Sequence, residues 1–206
     1  KEKDVTLAAS IALREELLAT GRYDVALTRS TDVFIELEER PTKARNLGAD
    51  LFLSIHADAG PKPATRGASV YTLSPEGEKR IDGARKSNDW ILDVEVDSRR
   101  PKEVNQILAD LVQRETKNQS ALFAEMVVHG LEQAGWPLLQ NALRKKRLYV
   151  LLSPDVPAVL FEMGFMTNAE DAEALVSEAK RKKMVTAVAG AIDQFFESQT
   201  RLVAGR

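Results

Sequence analysis

Apolar residues recur at helical spacing from Asp4 to about Thr20, at Val5, Ala8, Ala9, Ala12, Leu13 and Leu17, and Gly21 stops the pattern. Tyr23 to Thr28 (YDVALT) then predicts a strand. Glu36 to Leu47 predicts a second helix, kinked or restarted at Pro41 because proline has no amide hydrogen to donate to the preceding turn. Gly48 closes it. Leu51 to Ile55 is a short apolar run that ends on His56, and a Pro- and Gly-rich loop (Gly60 to Gly67) separates it from another predicted strand, Ala68 to Leu73.

From about Pro75 to Glu103 both charge signs are dense and apolar anchors are few. Helical spacing resumes from Glu103 to about Gln133, through Val104, Ile107, Leu108 and Leu111, then Leu122, Phe123, Met126 and Val127. Leu148 to Leu152 and Ala158 to Phe161 predict two more strands, the second running into Glu162. Asn168 supplies an N-cap, with Glu170 and Asp171 as the acidic first turn of a short helix. A final amphipathic helix spans about Ser177 to Phe196. Strands separated by helices predict an α/β fold, a single mostly parallel twisted sheet flanked by helices.

Two of these runs end alike. Leu51-Phe52-Leu53-Ser54-Ile55 stops at His56, and Pro157-Ala158-Val159-Leu160-Phe161 stops at Glu162, just before Gly164-Phe165. In open α/β sheets ligands sit at the carboxyl ends of such strands, so this His and this Glu are placed to face one crevice. The chain has only two histidines. The other, His129, is flanked by Val127, Val128 and Leu131 and reads as an ordinary helix histidine.

Composition narrows the function classes. At 206 residues the chain holds one substantial core, and a net charge of -2 gives no footprint for nucleic acid. No apolar stretch approaches the roughly 20 residues that span a bilayer. No signal peptide is visible, and Lys1 opens inside a charged run, so a processed or truncated piece of a longer chain is expected. Cysteine is absent, which excludes disulfides, thiolate nucleophiles and zinc–thiolate sites and suits a cytosolic or an exported bacterial protein.

A neutral imidazole is a common ligand of catalytic metals, and a carboxylate beside a metal-activated water serves as general base and then general acid. His56 and Glu162 suit these two roles. A structural histidine and a salt-bridged glutamate are the plain alternatives.

The surrounding text is more specific. Thr28-Arg29-Ser30-Thr31-Asp32, then Leu37-Glu38-Glu39-Arg40, then Ala49-Asp50 through Ser54-Ile55-His56-Ala57-Asp58, then Pro157-Ala158-Val159-Leu160-Phe161-Glu162-Met163-Gly164-Phe165 through Asn168, occur in that order. Together they resemble the zinc-dependent N-acetylmuramoyl-L-alanine amidases (amidase type 3), from Glu2 to about Phe196, with Ala158 where the family has Ser. The resemblance implies one zinc ion held by His56 and Glu2, with Glu162 as the catalytic carboxylate. It also implies a first ligand, a His in a G-H-G-G segment upstream of Glu2, which this chain does not contain. That segment is expected to be cut off or flexible. Without the family, Glu2 reads as an acidic helix-start residue facing the helix dipole.

Arg29 and Arg40 are candidates either for gripping substrate carboxylates or for buried structural pairs with Asp32 or a Glu, and the structural role is favoured. Asn168 reads first as a helix cap and second as a substrate contact. The region of about 74–118, within a single catalytic domain of residues 1–206, resembles the helical insert of the division-associated periplasmic amidases. In that branch a Glu from the insert completes the zinc shell and an activator protein displaces it. Glu78 and Asp89 are the candidates for that autoinhibitory ligand, and about Glu76 to Asp97 the segment that occludes the site.

The resemblance thus implies a peptidoglycan hydrolase that cleaves between N-acetylmuramic acid and L-alanine during septal cell-wall splitting. It further implies a periplasmic location and a LytM-domain activator of the EnvC/NlpD type. Two other readings stay open: a catalytically incomplete peptidoglycan-binding or regulatory domain, and another zinc hydrolase, a peptidase or deacetylase, on an α/β scaffold.

Overall fold

The computed structural model describes residues 1–60, 62–79 and 101–204. Helix α1 (Glu2–Ala19) buries Val5, Ala9, Leu13 and Leu17, a stripe at the four-residue spacing that one helix face allows. Helix α2 (Glu39–Asn46) begins two residues before Pro41. Proline thus falls in the first turn, where its missing N–H leaves no bond unmade, and the helix starts there rather than kinking. Helix α3 (Lys102–Gln133) buries Phe123, Ala124, Val127 and Leu131 in its second half. Helix α4 (Ala169–Val176) is capped by Asn168, and α5 (Glu178–Ala204) runs on past the expected end at Phe196.

Strands β1 (Phe52–His56), β2 (Ala68–Leu73), β3 (Leu138–Lys146) and β4 (Ala158–Glu162) form one sheet in the order β1-β4-β2-β3. β1 pairs with β4 and β2 with β3 in parallel, while β2 and β4 are antiparallel, so the sheet is mixed. All five residues of β4 are buried, as a central strand covered on both faces requires.

The two faces differ in depth. Val159, Phe161, Ala68 and Val70 face α1, α3 and α5, where Phe123, Phe195 and Leu131 are almost fully buried. Burying each such side chain contributes about 1.5–3 kcal/mol relative to leaving it in water. The other face carries Phe52, Ala158 and Leu160 under Ala44 of α2 and a 3-10 turn, Tyr149–Leu151. A bidentate ion pair from Arg45 to Asp155 (2.7 and 2.8 Å) ties α2 to the loop that enters β4.

Two predicted strands are corrected, and one strand that the pattern did not predict is found. Tyr23–Thr28 forms no ladder. Its Tyr23 and Val25 pack against the core, and the Tyr23 hydroxyl donates to Asp193 of α5 at 2.6 Å. A cavity of about 1390 Å³ lies between this segment and β1. Ladders need a neighbour about 4.8 Å away, and alternation alone does not provide one. Leu148–Leu152 is not a strand but contains the 3-10 turn, whose Val150 and Leu151 are buried. The strand next to β2 is instead β3, whose polar text hid it. Most of its residues are exposed, and a register shift between Ala68 and Val70 breaks its period, with Asn141 at φ +59°. Lys145 and Lys146 are exposed on this edge, where lysines discourage further strand pairing.

Candidate active site

The β1–β4 pairing brings the two ionisable residues together. Parallel register sets His56 beside Glu162 at the carboxyl ends of both strands, and the ladder continues with the Met163 N–H donating to the His56 carbonyl at 2.9 Å. Alternation explains the shared face. Ser54 and His56 are two residues apart on β1, as are Leu160 and Glu162 on β4, so both ionisable groups project from the thinner face of the sheet.

Glu2 reaches the same point from the first turn of α1. Its Oε1 lies 3.2 Å from His56 Nδ1 and 3.4 Å from the Ala57 nitrogen. On the other side of the ring, His56 Nε2 lies 3.0 Å from Ser54 Oγ. Burial lowers the His56 pKa, and the nearby Glu2 carboxylate only partly opposes this, so the neutral ring is favoured.

Glu162 is 8% exposed. Burial, followed by the neighbouring Asp58 carboxylate, pushes its pKa up to about 7, against the pull of a hydrogen bond from the Asp58 N–H. That N–H donates to Glu162 Oε2 at 3.1 Å. Ser69 stands opposite Glu162 on β2, fully buried, and its hydroxyl has no protein partner among the described residues.

His56 and Glu2 fit two positions of a zinc shell. Ligands about 2.0–2.1 Å from a tetrahedral ion stand roughly 3.3–3.4 Å apart, close to the separation of Nδ1 and Oε1. The Ser54 hydroxyl at Nε2 is the partner that orients a ligating imidazole through its other nitrogen. Among the described residues no group of three His, Cys, Asp or Glu side chains forms a metal cluster. The shell therefore needs a further donor besides these two.

Arg29 and Arg40 line the same cleft as Glu2 and His56. Among the described residues neither forms the carboxylate pair expected of it. Arg29 donates to the carbonyls of Lys3 (2.7 Å) and Thr31 (3.0 Å), and Arg40 donates twice to the Ile35 carbonyl (3.1 and 2.9 Å). Asp32 pairs with Lys3 instead. Both arginines hold backbone carbonyls around the Arg29–Arg40 segment, as the favoured structural role expects, though with carbonyl rather than carboxylate partners. Asn168 caps α4, accepting from the Glu170 and Asp171 N–H groups, and its amide donates to the Pro63 carbonyl at 2.8 Å.

Glu78 pairs with Lys117 of α3 beyond the far end of β2, so it does not join His56 and Glu2. Asp89 lies outside the described residues, as does most of Glu76 to Asp97. His129 is exposed on α3 beside Gln133. Sequence reasoning missed the roles of Ser54 and Asp58. Both stand inside the quoted Ser54-Ile55-His56-Ala57-Asp58 text, and the period of two that puts Ser54 on the His56 face was the available signal.

The family described as N-acetylmuramoyl-L-alanine amidase matches residues 1–194. The chain is 36% identical to N-acetylmuramoyl-L-alanine amidase AmiA of Escherichia coli, over 95% of this chain and 68% of that protein. It is 30% identical to the AmiC amidase of Neisseria meningitidis, over 96% of this chain and 48% of the relative. The fold is also that of the CwlD amidase from Clostridioides difficile, solved in complex with the GerS lipoprotein. That likeness has a TM-score of 0.71 at 20% identity and covers 96% of this chain and 87% of CwlD.

Proposed function

Because this chain belongs to the N-acetylmuramoyl-L-alanine amidase family, we propose that His56, Glu2 and Glu162 form the hydrolytic centre of a zinc-dependent peptidoglycan amidase. The bond cut is the amide between the lactyl group of N-acetylmuramic acid and the L-alanine of the stem peptide. The observation that carries this is the alignment of His56 with Glu162 at two strand ends, with Glu2 Oε1 3.2 Å from His56 Nδ1.

His56 Nδ1 and Glu2 Oε1 would hold the metal, with Ser54 keeping the imidazole in place. When bound, zinc supplies Lewis acidity that lowers the pKa of a coordinated water from about 16 to about 7. Glu162 takes a proton from the attacking water and delivers it to the departing amine of L-alanine. Its Oε2 accepts the Asp58 N–H, so Oε1 is the oxygen we assign to the travelling proton. A carboxyl with a pKa near 7 is matched to both halves of that transfer at neutral pH.

The finer reading places the enzyme in the periplasm, acting in septal cell-wall splitting under a LytM-domain activator. The insert of about 74–118 would act as the covering element within one catalytic domain. Resemblance to the division-associated amidases supports this. Among the described residues, no helix is long and apolar enough to cross a membrane.

The test is dye release from labelled peptidoglycan by the full natural protein, with zinc and with a chelator. Zinc-dependent release with new L-alanine amino termini is expected. Release that survives chelation, or products with other new ends, would overturn the reading. Deleting residues 76–97 should raise the rate, and an unchanged rate in a folded, zinc-loaded variant would remove the covering role.

A further inference from the structure

We infer that Asp171 is a positioning residue for Glu162, acting through a clamp that the start of α4 closes on the segment between β1 and β2. The inference rests on Glu162 being the proton-transferring carboxylate. Asp171 is an acid in a helix first turn, which ordinarily serves an exposed helix terminus through the dipole. Here it is 5% exposed, and its carboxylate turns away from its own helix. Oδ2 accepts the Gly67 N–H at 2.7 Å and the Phe165 N–H at 3.0 Å.

Those two donors flank the chemistry. Phe165 lies three residues beyond Glu162, and Gly67 lies two residues before Ser69, the β2 residue paired with Glu162. A single oxygen therefore ties the strand that carries the carboxylate to the strand beside it, at the end where hydrolysis would occur. The turn between them is closely packed, since a Cβ added at Gly164 would come within 2.9 Å of the same oxygen. Two backbone donors on one oxygen offset the cost of burying this side chain.

Neighbouring residues extend the clamp. Thr167 Oγ1 accepts the Gly60 N–H at 2.9 Å, the Asn168 amide donates to the Pro63 carbonyl, and the Met166 N–H donates to the Asp58 carbonyl at 2.9 Å. Asp58 in turn donates its own N–H to Glu162 Oε2. Glu162 is thereby fixed twice from one segment, along its backbone through Phe165 and at its carboxylate through Asp58. Arg66 brackets the outside, paired with Glu170 and 3.9 Å from Asp171 Oδ1. Asp171 touches neither Glu162 nor His56, so its effect is on placement.

The experiment compares Asp171→Ala and Asp171→Asn with wild type in the full natural, zinc-loaded protein, by steady-state kinetics and by hydrogen exchange of the Asp58 amide. Asp171→Ala should lower kcat about 10- to 100-fold with KM changed by less than about twofold, the scale of losing an orienting partner. The Asp58 amide should exchange faster. Asp171→Asn keeps an acceptor oxygen and should restore kcat to within about threefold of wild type. A folded Asp171→Ala protein with unchanged kcat, or with unchanged Asp58 exchange, would overturn the inference. If Asp171→Ala does not fold, Thr167→Val removes one tether alone. It should lower kcat and speed Asp58 exchange, and no change in either would also overturn it. A wild type inactive on peptidoglycan would sink the functional reading instead, while Asp58 exchange would still decide the clamp.

Discussion

At the scale of single residues, the site separates two ionisable groups by environment. His56 is pushed toward its neutral form by burial, while Glu162 is pushed toward its protonated form, to about 7, by burial and by Asp58. A general base must be ionised, so kcat/KM is expected to rise with pH through about 7 and level off above it. A pH–rate profile whose acidic limb falls near the ordinary carboxylate range would contradict this. Glu162→Ala should retain zinc, measured by metal analysis, and lose at least about 100-fold in activity, the lower range for a general acid–base group.

The same shift has a stability sign. A carboxyl whose folded pKa lies above its unfolded value of about 4.5 binds more protons when folded, so stability falls as pH rises from about 4.5 through about 7. Glu162→Gln removes that penalty. At pH 8 it should unfold at higher urea concentration, by on the order of 1–3 kcal/mol, while being inactive. His56 and Glu162 were legible in the sequence because each ends an apolar run and the motifs around them are specific. The carbonyl partners of Arg29 and Arg40 were not, since nothing in a sequence says that a loop carbonyl will take the place of the expected carboxylate.

At the scale of elements, the arrangement depends on a few closures. Gly67 enters β2 at φ +97°, and an added Cβ would sit 2.5 Å from the Leu138 backbone at the start of β3. Gly67→Ala should therefore cost more than about 2 kcal/mol in urea unfolding, since both the backbone conformation and the contact oppose a side chain. Asn168→Ala should cost about 1 kcal/mol through its cap, plus the tie to Pro63. The long apolar-periodic helices and the buried strands β1, β2 and β4 were readable because burial imposes their period. β3 was not readable because it lies at the sheet edge, is mostly exposed and carries a register shift. Tyr23–Thr28 misled in the opposite direction. Its alternation is real, with Tyr23 and Val25 packed inward, but pairing depends on a neighbour that its own residues do not encode.

At the scale of the whole molecule, the proposed zinc site would couple metal, fold and activity. Zinc that binds the folded protein and not the unfolded chain stabilises it by about 2.7 kcal/mol at a hundredfold excess over Kd. For a domain of this size that corresponds to roughly 5–10 °C in Tm. Chelation of the full natural protein should lower Tm by that amount and abolish peptidoglycan hydrolysis, and added zinc should restore both. An unchanged Tm would place the metal elsewhere or exclude it. The sequence by itself determined the α/β class, the amidase resemblance and the residues proposed to do the chemistry, because hydrophobic period and motif spacing are local properties of the chain. Only the tertiary structure decided that β2 runs antiparallel to β4, that Glu2 meets His56 from 54 residues away, and that Asp171 holds the turn behind Glu162. Those are contacts between distant segments. Their geometry is set by how whole elements pack, and no window along the chain contains it.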